Sequence, residues 1–337
     1  MNEKKFYLDA GEIASLWTNY VNDTMSICIL KFMIQHMEDP EIRPALQTAL
    51  DISSDHIEKL TDIFEEEEYA VPNGFTSKDV QVGAPWLFSN TFCLTYVSHM
   101  AKVGMLSYSS LLSMSTKPSI REYFTNALNE TASLYNQTVE IATNKGINAR
   151  IPNVEVPKKT DYIRSKQYYG GLNPFSDKRP LNDIEISHLY MNVLSNYVGM
   201  KLSLAFAQTS PTKEVQEYLL RCKDIANKHN KIFATILNDN NIQTSQLPDV
   251  AVSSSTTQTF SDKMIMFHMA LLTSAGIGNY ATAAAASQRL DLALNYERLS
   301  LEVAKLAKSG ADLMIENHWL EQPPGTRDRE KLAREKK

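Results

Sequence analysis

Apolar residues return every three or four positions along nearly the whole chain, the period of helices packed on one face. The stretch around Asp51 shows it well: Leu46, Ala49, Ile52, Leu60 and Ile63 share one stripe. The chain is therefore expected to be all-α. Helix starts follow from local chemistry. Asp9 with Glu12, and Asn182 with Glu185, have capping-box spacing. Asp39 followed by Pro40 supplies a cap and a proline suited to a first helical turn, and Thr212 stands in the matching place later on. Four helices are predicted up to Lys145-Gly146: one opening at "LDAGEI", one running to "FEEEEY", one from near Trp86 to Met114, and one following "STKPS".

Loop lengths constrain the topology. Helices one and two are joined tightly, as are three and four, so each pair is an antiparallel hairpin. Between helices two and three lies the polar stretch "AVPNGFTSKDVQVGAP". About 15 extended residues reach about 50 Å, and a helix of about 28 residues is about 42 Å long. That connection can cross a whole bundle, which gives the ferritin-like order of hairpin, long crossover, hairpin.

The same text occurs twice. Asp224 follows Asp51 by 173 residues, and at that offset eleven of the 53 positions from 12 to 64 are identical. Chance would give about a third of that. At an offset of 172 the later part continues the match: Phe88-Ser89 falls on Phe260-Ser261, Gly104 on Gly276, Tyr108 on Tyr280, Glu130 on Glu302 and Pro152 on Pro324. The chain is thus expected to hold two ferritin-like four-helix bundles, at 8–152 and 182–324. An aromatic linker, 153–181, is expected to pack on them, and 325–337 to form a basic flexible tail. A duplicated bundle also suggests an isologous, two-fold-like contact between the halves.

One repeated polar residue stands on the buried stripe. His56 is four residues from both Ile52 and Leu60, and His229 is its counterpart. An inward histidine needs partners, since an unpaired buried polar group costs about 1–3 kcal/mol. Counting from the hairpin turns places Asn19, near Asp23, and Glu130 at the level of His56, with Gly104 opposite. In the second half the set is Asn192, His229, Glu302 and Gly276. Two readings follow. The residues form a buried polar layer that fixes helix register, or each set holds one ion in a mixed N/O shell of the kind iron, manganese and zinc accept. A di-iron oxidase centre would need Glu-x-x-His. Here Ser53 and Ala226 stand three before the histidines, and Ser133 and Lys305 stand three after the glutamates. Glu12 and Glu185 lie about 12 Å along the axis from the histidine level and read as caps. His99 and His268 read as core-edge residues.

Composition removes other classes. Charge is 22% of residues with a net of −5, so no basic stripe for nucleic acid is expected. No apolar run is long enough to span a membrane, and the opening "MNEKKFYLDAGEI" lacks a signal-peptide core. Cys28, Cys93 and Cys222 are isolated, which suits a reducing cytoplasmic setting. Walker, GxSxG and HExxH motifs are missing, so nothing identifies a small-molecule substrate, and enzymatic chemistry is the less supported class.

The tandem "EI-x-x-L" openings, the "DI-x-x-x-H" of each second helix and the proline after each fourth helix resemble a family of unknown function with two ferritin-like bundles, found in spore-forming bacilli, whose single-bundle relatives are spore-coat-like. The resemblance spans about residues 8–325. It implies a structural or interaction role in sporulation or stress, with self-association or spore-coat proteins as partners, and it implies no activity.

Overall fold

The computed structural model describes residues 8–148, 150–173, 178–242 and 251–335. These are helical, with no ladder of strands among them. The first half contains α1 (Ala10–Gln35), α2 (Arg43–Glu66), α3 (Asn90–Met114) and α4 (Pro118–Asn144). The second contains α5 (Asp183–Thr209), α6 (Lys213–Asn238), α7 (Asp262–Ala286) and α8 (Leu290–Glu316), followed by a short α9 (Arg329–Glu335).

Both capping boxes are formed, at Asp9/Glu12 and at Asn182/Glu185. Their glutamates also reach across the bundle. Glu12 Oε1 accepts the backbone N–H groups of Thr116 and Lys117, at 2.8 and 2.7 Å, where α3 turns into α4. Glu185 Oε1 accepts those of Gln288 and Arg289, at 3.1 and 2.8 Å, where α7 turns into α8. Each carboxylate therefore satisfies orphan donors at two helix starts. Asp39 Oδ1 accepts from Glu41 and Ile42, so the cap is real, although regular helix begins only at Arg43. Glu67, in an acidic run that local sequence leaves unexplained, pairs with Lys117.

These contacts settle the chain direction. The start of α1, the end of α2 and the α3–α4 turn meet at one end of the first bundle. Helices α2 and α3 therefore run parallel, and residues 67–89 must traverse its length. In the second half the start of α5 meets both the α7–α8 turn and the end of α6, where Asn240 accepts from Leu181.

The two crossovers pair with each other. Val80 bridges Phe260 and Phe88 bridges Val252, both antiparallel. Val252 and Phe260 are the counterparts of Val80 and Phe88 at the 172-residue offset, so each residue meets the other's equivalent, as in an isologous interface. Tyr96 and His268 are themselves counterparts, and they touch across this pseudo-axis, with hydroxyl and Nε2 3.2 Å apart. The principal core runs through both halves, joining Met25, Phe32, Phe88 and Phe92 to Phe206, Phe260 and Met264.

Two expectations are corrected, the start of the third helix and the place of His268, and the linker and tail add detail. Helix α3 starts at Asn90, capped by Ser89, because the preceding residues are committed to the other crossover. His268 is fully buried and not at a core edge. The linker does not blanket the bundles: Val156 and Tyr162 are 82% and 90% exposed, and Phe175 lies outside the described residues. Tyr168 does engage, with the Arg179 guanidinium 4.0 Å above its ring. Finally, the tail carries the exposed helix α9.

Candidate functional site

The buried stripe of α2 carries His56 into the middle of the first bundle, and α6 does the same with His229; both are essentially inaccessible. The structure brings His56 together with Glu130, Nε2 lying 3.2 Å from Oε2. On the opposite ring edge, Nδ1 lies 3.1 Å from Asp23 Oδ2. Asn19 does not hydrogen-bond the ring. Its Nδ2 donates to Asp23 Oδ2 at 3.1 Å and is also close to the Tyr123 hydroxyl. The rings of Tyr108 and Tyr123 stand edge-on to the imidazole.

The second layer has the same scaffold and different chemistry. His229 Nε2 is 2.8 Å from Glu302, but Nδ1 is 3.0 Å from the Tyr280 hydroxyl. Asn196 replaces Asp23 and donates to Tyr280 at 2.8 Å. Asn192, expected in this layer, instead donates to the His188 carbonyl one turn back. Lys228 and Arg298 flank Glu302 at 2.5 and 3.9 Å.

Electrostatics separate the two histidines. Burial would push the His56 imidazole down, but the hydrogen bond and charge of Asp23, with Glu130 adding, hold it above the ordinary 6.5. The raised pKa favours the protonated ring, which donates from both nitrogens to the two carboxyl groups. Burial pushes His229 below 6.5; Glu302 opposes this, and the nearby Lys228 and Arg298 reinforce it. A neutral ring that donates Nε2–H to Glu302 and accepts the Tyr280 hydroxyl at Nδ1 satisfies both ring nitrogens.

A small cavity adjoins each layer. One of about 120 Å³ is lined by Asn22, Asp23, Gly104 and Tyr108, and one of about 90 Å³ by Asn196, His229, Gly276 and Tyr280. The repeated glycines Gly104 and Gly276 each line one of these cavities. A methyl group at Gly276 would meet nothing within 4 Å, whereas at Gly104 it would come within 3.1 Å of Thr131. Tyr108 and Tyr280 were legible as a repeated pair one turn beyond those glycines. Tyr123 has no counterpart, since Asn295 matches it, and gave no signal.

Each ring edge offers a sparse donor set for a metal. In the first layer the carboxylates approach opposite edges of one ring, so each side offers a single nitrogen and a single carboxylate. Among the described residues no three His, Cys, Asp or Glu side chains converge on one point. Iron, manganese and zinc bind through several ligands gathered on one centre.

Comparison with known proteins agrees with the duplication. The model of a family described as "Protein of unknown function (DUF3231)" matches residues 1–160 and again 169–332. No curated protein matches the chain. Among solved structures, one from Bacillus halodurans, described as a proposed spore coat protein, is 17% identical and aligns over 47% of this chain and 99% of its own, with a TM-score of 0.39.

Proposed function

Since the chain belongs to the DUF3231 family, matching its model twice over, we propose from its own geometry that it is a structural or interaction protein that associates with a second copy through α8. One observation carries this reading. On one face of α8, Leu290, Leu294, Leu301 and Ile315 are 45%, 50%, 65% and 58% exposed. They fall within a narrow stripe at helical spacing. Exposed apolar stripes of this kind mark interaction surfaces. The equivalent positions on α4 are Pro118, Glu122, Asn129 and Thr143, so the repeated fold does not demand apolar residues there.

The charges on the stripe favour self-pairing. An antiparallel second copy sets Leu290 against Ile315, Leu301 against Ala304 and Glu297 against Lys308, and by symmetry the reverse. Sedimentation equilibrium is expected to give a dimer at micromolar protein. Leu301→Glu, which places like charges at the centre, is expected to give a monomer with an unchanged helical spectrum. A wild-type monomer, or an undisturbed Leu301→Glu dimer, would overturn the reading. The polar layers enter this role as register-fixing elements, because each ring already has both nitrogens engaged by protein groups. The setting implied by the sequence resemblance is the spore. A fluorescent fusion that stays dispersed in sporulating bacilli would count against it.

A further inference from the structure

A cleft of about 250 Å³ opens between α3, α4, the segment after α4, and α5. Its walls are largely apolar, with Leu94 and Val139 on one side and Leu194 and Val198 on the other. Its lining includes Lys102, His99 and Arg150 and no carboxylate. The Lys102 ammonium lies 5.5 Å from the centre of the Tyr135 ring, and among the described residues no carboxylate oxygen comes within ion-pairing distance of it. A half-buried lysine without an anion is costly, because the charge loses water and gains only the face of an aromatic ring. Desolvation accordingly lowers its pKa below the ordinary 10.5.

The duplication argues that this arrangement is not inherited scaffolding. At the counterpart positions Lys102 becomes Ser274, His99 becomes Leu271 and Tyr135 becomes Ala307. A largely apolar cleft whose walls carry the Lys102 ammonium and no carboxylate has the complement of an amphiphilic acid: a carboxylate for the ammonium and a hydrocarbon for the walls. The volume lies just below the range of about 300–1,000 Å³ usual for ligand pockets, so the tail must be short. We propose that the cleft between α3, α4 and α5 binds a small aliphatic carboxylic acid, its carboxylate on Lys102 and its tail between Val139 and Leu194. This site is separate from the α8 surface and does not depend on it.

Titration calorimetry of the full chain with octanoate and with octanol tests this. Octanoate is expected to bind one per chain, and octanol at least about tenfold more weakly, since it lacks the charge-assisted bond. Lys102→Met removes an unpaired charge and retains the stem volume, so the fold is kept. It is expected to weaken octanoate about tenfold, to the level of octanol. Leu194→Trp, which fills the apolar end, is expected to abolish binding of both. No octanoate binding at millimolar concentration would overturn the proposal. So would equal affinity for acid and alcohol, or unchanged octanoate binding in either variant.

Discussion

Replacing His56 with alanine is expected to destabilise the protein by about 3–5 kcal/mol, the range for breaking a buried ion pair by removing one partner. The loss arises mainly at Asp23, which is nearly inaccessible and would be left with only Asn19 as a hydrogen-bond partner. The matching change at His229 is expected to cost less, about 1–3 kcal/mol, because its partners are a neutral tyrosine and a glutamate already held by Lys228. Denaturant midpoints measured at pH 6 and pH 8 would separate the two. His56 has a raised pKa when folded, so its contribution is complete below 6.5 and fades as pH rises through the folded value. His229 has a lowered pKa, so its contribution is complete above 6.5 and fades as pH falls below it. Equal losses from the two changes, with equal pH dependence, would contradict the assignment.

Replacing Glu185 with alanine is expected to be as damaging, again about 3–5 kcal/mol. Its side chain is inaccessible and pairs with Arg179 at 2.7 Å while satisfying the backbone at both hairpins. Glu12→Ala removes the same tie without stranding an arginine and is expected to cost less. Burial raises both carboxyl pKa values, but hydrogen bonds outweigh it: chiefly the backbone of Lys117, Asp9 and Thr116 for Glu12, and first Arg179 for Glu185. Both end below the ordinary 4.5. Their stabilisation is complete above 4.5 and is lost as pH falls through the lowered values. The acid limb of the stability curve should therefore flatten in the Glu12→Ala, Glu185→Ala double variant. A loss under about 1 kcal/mol for Glu185→Ala at pH 7 would mean that the tie is not structural.

Much of this architecture was readable from the chain because the signals are local or repeated. Capping boxes sit within four residues, hairpins and crossovers announce themselves by length, and duplication marks His56, Glu130 and Gly104 twice. What escaped depends on approach in three dimensions. Nothing within Val80 or Phe88 indicates that the crossovers bridge one another. Glu12 reads as a cap, and its second task needs the α3–α4 turn to be placed beside it. The change from Asp23 to Asn196 is visible in the sequence, but its consequence is not. It matters only because Tyr280 takes over the Nδ1 edge of the second ring, whereas Tyr123, which has no equivalent, braces Asn19 in the first. The exposed stripe on α8 was likewise hidden, since apolar residues at helical spacing read as core until the opposite face is seen to be the buried one.

We read the inherited histidine layer as two structural layers, one favouring the imidazolium and the other the neutral ring, and propose that neither holds a metal. Nitrogen-detected NMR of the histidine rings at pH 6.5, before and after equimolar zinc, tests it most directly. The predicted result is an imidazolium at His56, a neutral ring with its proton on Nε2 at His229, and no change in either on adding zinc. Two rings titrating together near the free value, or a zinc-induced shift of the His56 or His229 nitrogens, would contradict it.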